Sequence, residues 1–314
     1  MSMSPFTDRM SVNGGDVAPI LGASGDRYYE GVDLTLKYAL EIAAAPYGGN
    51  PWAWIKARIQ AGDFTGIHVN DYIPFMTTNN VSLKACVSGI NTYKGYGDTV
   101  VGNHIDFICR ELWPTNHVMN KVDYNNGVPA FTPEGGTEIA AQEFPWLACD
   151  LYHYINSLAG YVPNEAKLNP AMVAVDYTAD GIYARLPDTL KAVIVEKRMM
   201  LPKRFSASGL LNDDNGWGWA NAGKLWIPIE CEVYGTPVWG DHGYGAGGSA
   251  VQYPIFAGNM NRVKYRSGSR NAWWLISASS GAAANFCAVS TNGHADRSGA
   301  GNPNIAAPVC FRVS

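Results

Sequence analysis

The segment from 267 to 314 constrains the fold of this chain more than any other stretch. Within it, three short runs rich in aromatic and β-branched residues alternate with two segments built almost wholly of Ser, Ala, Gly, Asn, Thr and Asp. Apolar runs of this length, bounded by small polar residues, are typical of strands joined by loops. The pattern predicts strands at 273–276, 286–289 and 309–313, and loops at 277–285 and 290–308.

The two polar segments are the leading candidates for a binding surface. The last predicted strand is expected to be tied into a sheet, which would display both segments on a rigid base, as binding loops commonly are. Their side chains supply adaptable hydrogen bonding, although ordinary solvated loops are the alternative. Neither segment holds enough Asp and Glu for a calcium site. The candidate ligand-binding residues are Ser277, Ser279, Ser280, Asn285, Ser290, Asn292, His294, Asp296, Arg297, Asn302 and Asn304.

Composition and charge narrow the classes of protein to consider. Hydrophobic residues make up 47% of the chain and Gly, Trp and Tyr are plentiful, which is typical of a loop-rich globular fold and argues against disorder. The net charge of -4 gives no electrostatic footprint for nucleic acid. No apolar run approaches membrane-spanning length, and residues 1–10 lack the apolar core of a signal peptide. We therefore expect a cytoplasm-made protein without nucleic-acid partners or membrane insertion.

Periodicity outside the terminal segment predicts a mixture of helices and strands. Residues up to about 25 are small and polar and are interpreted as an arm that docks on a partner subunit or stays disordered. Helices are predicted at 26–45, 52–61, 145–158 and 186–199, with Asp188 as an N-cap. Short strands are predicted at 67–76, 82–93 and 224–228, and 97–109 is predicted to be a polar loop that leads into a strand. The expected fold class is α+β, loop-rich, with short antiparallel strands and few helices.

Three pairs of residues could carry acid–base chemistry, and each also has a structural interpretation. His104 and Asp106 would share one face of a strand, where a hydrogen-bonded core pair is favoured over a catalytic one. Glu230 and Glu232 would also share a strand face, and a solvated face is the favoured interpretation. Asp241 and His242 precede a glycine-rich stretch, 243–248, that lacks the frame of a phosphate-binding loop and is interpreted as a surface loop.

The cysteines and tryptophans give little indication of a metal site or a ligand-binding site. The six cysteines form no CxxC and are widely spaced, so we expect buried thiols rather than a zinc site. Cys287 and Cys310 lie on predicted neighbouring strands and make the most plausible disulfide, if one exists. Trp217 and Trp219, after Asp213 and Asp214, could form a sugar-stacking platform but are more often core anchors.

Several ordered motifs occupy 68–75, 97–108, 224–235, 252–256, 270–277, 286–289 and 308–313. Together they resemble an uncharacterised domain that is common in prophages and phages of gut bacteria. That domain is similar to the C-type-lectin-like fold shared with formylglycine-generating enzymes, and the resemblance covers residue 52 to the end. In phage tropism proteins and other targets of diversity-generating retroelements, a C-terminal lectin-like segment displays the ligand-binding positions. Formylglycine-generating activity is not expected, because the cysteines here are scattered.

The resemblance and the polar segments together predict a non-enzymatic virion or tail-associated protein without a cofactor. It would bind a host-surface protein or glycan through the loops at 277–285 and 290–304. These loops belong to the display segment 267–314 of a lectin-like domain at 49–314. The arm and helix within 1–48 would attach it to other virion proteins or to copies of itself. Two alternatives stay open: a decoration or fibre component without its own ligand, and a glycan-processing or formylglycine-generating-like enzyme. The enzyme would need a deep pocket joining His104 and Asp106, or Asp241 and His242.

Overall fold

The computed structural model describes residues 20–21, 27–28, 30–167, 169–204, 216–240 and 251–314. It is a mixed α+β structure, rich in strands, with few short helices and a curled antiparallel sheet, which confirms the expected class at this level. Most of the predicted arm, and the segments that contain Asp213, Asp214, Asp241, His242 and 243–248, lie outside the described residues. No helix in the described ranges is long and apolar enough to cross a bilayer.

Strands outnumber helices and most elements are short. The helices are α1 (Leu34–Lys37), α2 (Ala39–Ala43), α3 (Pro51–Ala61), α4 (Pro145–Ala148), α5 (Asp150–Asn156), α6 (Asp188–Lys191) and α7 (Glu230–Tyr234), with 3-10 turns at Tyr183–Arg185, Pro254–Phe256 and Asn259–Arg262. The strands are β1 (Ile20–Leu21), β2 (Arg27–Tyr28), β3 (Tyr72–Met76), β4 (Ser82–Ile90), β5 (Ile105–Cys109), β6 (Ala159–Pro163), β7 (Met172–Asp176), β8 (Ile194–Val195), β9 (Arg198–Pro202), β10 (Trp217–Asn221), β11 (Leu225–Trp226), β12 (Lys264–Arg266), β13 (Ser269–Asn271), β14 (Trp273–Ala278), β15 (Asn285–Val289), β16 (Ala295–Gly299) and β17 (Cys310–Val313).

The main sheet is built around the last strand of the chain. Its order is β11-β17-β5-β4-β3, and β8 also pairs with β17, next to β11. Every pairing is antiparallel. The predicted strand at 309–313 is therefore confirmed, and it is tied into a sheet as expected. All four residues of β17 are buried, so the terminal strand is part of the core.

Helix α3 packs its aromatic side chains against this sheet. Asn50 caps it by accepting hydrogen bonds from the backbone amides of Trp52 and Ala53, and Gly62 ends it in the left-handed conformation. The Trp52 ring meets Phe75, Phe107 and Phe311 edge to face at centroid distances of 5.7–6.1 Å. Such pairs add about 0.5–1.5 kcal/mol each beyond the burial of their area. The predicted helix at 52–61 is confirmed.

Three other helix predictions need correction. The predicted helix at 26–45 is two short helices separated at Tyr38, and β2 occupies its first turn. The prediction at 145–158 is broken at Cys149, whose extended backbone and sulfur cap the next helix, α5. In the helix predicted at 186–199, Pro187 holds the N-cap position and Asp188 is the first helical residue. That helix ends early because Ile194 and Val195, which are β-branched, pair with β17.

Residues 273–299 of the terminal segment form a separate three-stranded sheet, β14-β15-β16. Strands β14 and β15 confirm the predictions at 273–276 and 286–289, and every residue of β14 is buried. Strand β16 lies inside 290–308, which was predicted to be a single loop. Its small and polar residues have weak strand propensity, but all five pair with β15, and this backbone pairing overrides propensity.

The six cysteines are all buried, as expected, and no disulfide joins any of them in the described residues. The proposed pairing of Cys287 with Cys310 is wrong, because Cys287 lies in β15 and Cys310 in β17, which belong to different sheets. Burial raises the pKa of both thiols well above its ordinary value.

Candidate binding surface

The predicted ligand-binding residues divide into three groups by exposure. The exposed residues are Asn292, His294, Asp296, Arg297 and Asn304. The half-buried residues are Ser280, Asn285, Ser290 and Asn302. The buried residues are Ser277 and Ser279. Solvent therefore reaches mainly the part of the terminal segment from 290 to 304, and 277–285 serves more as its support.

The two buried serines, Ser277 and Ser279, form hydrogen bonds beneath the exposed polar residues. The Ser277 hydroxyl accepts a hydrogen bond from the Glu230 backbone amide at 3.1 Å. The Ser279 carbonyl accepts from the Arg204 guanidinium, and Arg297 reaches the Ser279 hydroxyl at 3.4 Å. Both serines are fully engaged inside the protein, so their contribution to any binding is to hold the exposed residues in place.

The Glu230 carboxylate holds the neighbouring loop, 238–240, in place, and we call this arrangement the Glu230 clamp. It is buried at the start of α7 and accepts hydrogen bonds from the backbone amides of Val238 (3.0 Å), Trp239 (3.1 Å) and Gly240 (2.7 Å). Bonds to an ionised acceptor are roughly twice as strong as neutral ones. The expectation that Glu230 and Glu232 line a solvated strand face is wrong: both lie on a helix and both are buried.

Trp239 is a residue of this surface that the sequence patterns did not single out. Its amide is held by Glu230, and its carbonyl accepts from the amide (2.9 Å) and hydroxyl (3.1 Å) of Ser280. The ring is 39% exposed. The Arg297 guanidinium lies over it, 4.7 Å from the ring centroid. A cation over an aromatic face contributes about 0.5–1 kcal/mol at an exposed site.

The turn between β15 and β16 fixes the exposed residues at one end of the sheet. The Ser290 amide donates to the His294 carbonyl (2.8 Å), and the His294 amide donates to the Ser290 hydroxyl (3.1 Å). Arg270 donates to the Asn292 side-chain oxygen at 3.4 Å. We name the recognition surface as Trp239, Ser280, Ser290, Asn292, His294, Asp296, Arg297, Asn302 and Asn304.

A shallow depression continues the recognition surface past β16. Asn302 donates to the Ser298 hydroxyl at 2.8 Å and accepts from the Asn304 amide at 2.9 Å. The Asp123 carboxylate accepts from the Gly301 amide at 2.9 Å, and Lys121 stands beside it on the rim. The polar groups along this edge therefore hold one another in place.

Lys121 also belongs to a cluster around the buried Asp150 carboxylate. Asp150 contacts the His117 ring (3.0 Å), Lys121 (3.1 Å) and the Tyr177 hydroxyl (2.8 Å). Burial would raise the pKa of Asp150, but the hydrogen bonds and charges of His117 and Lys121 outweigh it, so the pKa lies below its ordinary value. The cluster fixes Lys121 at the edge of the recognition surface.

His104 and Asp106 are both buried and do not form the hydrogen-bonded pair that was predicted. The His104 Nε2 accepts from the Tyr93 amide (3.2 Å), and Nδ1 donates to the Gly102 carbonyl (2.9 Å). The ring is therefore neutral, and burial lowers its pKa. Its nearest approach to Asp106 is 4.0 Å. Asp106 instead binds Arg312 of β17 through two hydrogen bonds of 2.7 and 2.8 Å.

A second buried ion pair extends this network. Lys197 contacts Glu232 and donates to the Tyr253 hydroxyl at 2.9 Å, and Tyr253 donates to Asp106 at 2.8 Å. Burial would raise the pKa of Asp106, but the charge and hydrogen bonds of Arg312 lower it to about 2. The two carboxylates and two cations are thus mutually satisfied, which is the condition for burying charge.

Within the described ranges, no group of three or more His, Cys, Asp and Glu side chains is arranged to hold a metal ion. Trp217 and Trp219 lie half-buried in β10. Comparison with known proteins found no match: no protein-family model, no curated protein and no solved structure is similar to this chain.

Proposed function

We propose that this chain is a binding protein of a phage virion or tail, and that it attaches to a host-surface protein or glycan through the recognition surface. The proposal includes a C-type-lectin-like organisation, which rests on the motif resemblance in the sequence. Function in this proposal is contact and hydrogen bonding on a rigid base, without bond-making chemistry.

The observation that carries the proposal is the Arg297–Trp239 pair. Exposed Trp and Arg are the residue types that dominate binding energy in protein interfaces, and here the guanidinium lies 4.7 Å from the ring centroid. Glu230 and Ser280 hold the Trp239 backbone from both sides. A surface already ordered before binding loses less conformational entropy on association, so this arrangement supports recognition.

The environment of His104 and Asp106 favours a binding role over the enzyme alternative. Both side chains are buried, and their polar atoms are occupied by Tyr93, Gly102 and Arg312. A catalytic acid or base must come within hydrogen-bond reach of a substrate, and reaching these two would require the core to open.

The N-terminal helices favour an attachment role for the other part of the chain. Leu36 is 77% exposed and Leu40 is 91% exposed, although Leu34 and Ile42 of the same helices join the core. Two exposed leucines on adjacent short helices suit a contact with another virion protein or a second copy of this chain. This supports the part of the proposal that places attachment within 1–48.

The test is binding of the fluorescently labelled chain to a panel of intact gut bacterial strains, measured by flow cytometry. Asn292→Ala/His294→Ala/Arg297→Ala should reduce binding to a positive strain at least about tenfold, because it removes three exposed partners at about 1 kcal/mol or less each. Its melting temperature should change little, since surface substitutions usually stay within about 0.5 kcal/mol.

A matched surface variant, Asp180→Ala/Asp188→Ala/Thr189→Ala, should bind as the unsubstituted protein does, because these exposed residues lie outside the recognition surface. Equal binding by both triple variants would overturn the proposal, as would the absence of binding to every strain in the panel.

A further inference from the structure

A partly enclosed cavity of about 200 Å³ lies outside the recognition surface, between β4, β5 and the segment from 255 to 265. Its walls combine apolar side chains of Ile108, Ile255, Met260 and Val263 with the cationic groups of Arg110 and Lys264. An engineered cavity of roughly 150 Å³ holds a benzene molecule. This cavity therefore has room for one small ring or branched chain together with a polar group.

Lys264 is the unusual member of the lining. It is only 4% exposed, and its ammonium donates to two backbone carbonyls, Cys109 at 2.6 Å and Arg110 at 3.3 Å. Among the described residues it forms no ion pair with a carboxylate within 4.0 Å. Two other buried cations, Lys197 and Arg312, each have a carboxylate partner. Lys264 is thus a buried cation that has no direct carboxylate partner among the described residues.

Burying an uncompensated charge is costly. Desolvation accordingly lowers the pKa of Lys264. The two carbonyls use two of the three ammonium hydrogens, which leaves one donor for a ligand. The Glu111 carboxylate accepts a hydrogen bond from the Lys84 amide at 3.0 Å. Its charge acts to raise the pKa of Lys264, but it forms no direct ion pair with the ammonium group.

Arg110 adds a second cation to the same cavity. Its guanidinium donates to the Glu30 carbonyl at 2.7 Å and lies 4.9 Å from the Tyr72 ring centroid, contacts that fix its position. Glu30 also lines the cavity, but it is exposed to solvent, so water screens its charge. Two cationic side chains therefore line the cavity, and apolar and polar side chains share its walls.

We propose that this cavity binds a small carboxylate with an aromatic or branched apolar body. The carboxylate contacts the Lys264 ammonium and the Arg110 guanidinium, and the apolar body packs against Ile255, Met260 and Val263. The site is independent of the recognition surface, and it would make folding or assembly of the protein sensitive to a small-molecule acid.

The test uses benzoate as the anionic probe and benzamide as its neutral counterpart, with dissociation constants measured by ligand-observed NMR titration. Benzoate should bind the unsubstituted protein at least about tenfold more tightly than benzamide, because a charged pair of hydrogen bonds exceeds neutral ones. Lys264→Met should remove that preference. Met260→Trp should weaken both probes by filling the cavity, and Met260 is 37% exposed, so this variant tests occupancy without disturbing the core.

Three results would overturn the proposal. They are equal affinity of benzoate and benzamide, retention of the benzoate preference in Lys264→Met, and the absence of saturable binding at millimolar benzoate. If Lys264→Met does not fold, Arg110→Met and Met260→Trp decide the outcome, since both positions are partly exposed. Unchanged benzoate affinity in both would refute the site.

Discussion

The Glu230 clamp makes the sharpest prediction about how the recognition surface is held. Glu230→Gln keeps the size of the side chain and removes its charge. In the native protein the carboxylate receives three backbone amides, from Val238, Trp239 and Gly240. Gln can keep one carbonyl oxygen in the position of Oε2, which is within 3.1 Å of all three amides. Its NH2 group, which is a donor, then stands where Oε1 accepted from the Trp239 amide.

The magnitude follows from the strength of these bonds. A hydrogen bond to a charged group contributes about 1.5–3 kcal/mol and a neutral one about 0.5–1.5 kcal/mol, so each bond loses about 1 kcal/mol. Three bonds give an upper value of about 3 kcal/mol, and relief of the buried charge returns part of it. We expect a loss of about 2 kcal/mol in the free energy of unfolding and a fall in Tm of about 4 °C or more.

Urea unfolding measures the free energy, and amide hydrogen exchange at 238–240 measures the local effect. Glu230→Gln should speed exchange at those amides and weaken cell binding, while Glu196→Gln, an exposed control, should change neither. A stability change below about 0.5 kcal/mol, the usual range for a surface substitution, together with unchanged exchange at 238–240, would refute the clamp.

Three further predictions concern the core. The pKa of Asp106 is about 2 in the folded protein and 3.8 ordinarily, so its contribution to stability, on the order of 2 kcal/mol, is present above about pH 4 and lost as pH falls toward 2. Asp106→Asn should therefore flatten the fall in unfolding free energy between about pH 4 and 2. An unchanged fall, measured by urea unfolding across this pH range, would contradict the prediction. Lys197→Met should cost about 3–5 kcal/mol by leaving Glu232 buried and unpaired, and Lys197→Met/Glu232→Gln should be more stable than the single variant; a double variant that is less stable would argue against the pair. All six buried thiols should react with a thiol reagent only on unfolding. Fast reaction of any one of them in the native protein would show that it is accessible to solvent, which contradicts its burial in the core.

Local patterns were sufficient to predict the elements in which the intrinsic preference of the residues and their tertiary surroundings favour the same conformation. Strands β14, β15 and β17 are runs of aromatic and β-branched residues, and α3 has an Asn cap, a Pro at its first position and a Gly at its end. In these places propensity, capping and burial all favour the same conformation.

The errors arise where distant contacts decide the structure. Ala295–Gly299 pairs as a strand because β15 offers an edge, which no local pattern records. Glu230 is buried because three amides from 238–240 converge on it, and two acidic residues two positions apart gave no sign of that. Trp239 was not singled out as a surface residue, since its contacts with Ser280 and Arg297 come from far along the chain.

The most direct test of the account is hydroxyl-radical footprinting of the labelled chain on a strain that it binds. We predict that protection on binding is concentrated at Trp239 and within 290–304, the recognition surface. Protection that instead falls on Leu36 and Leu40, with 290–304 equally labelled in the free and bound states, would contradict it and assign the contact to the N-terminal helices.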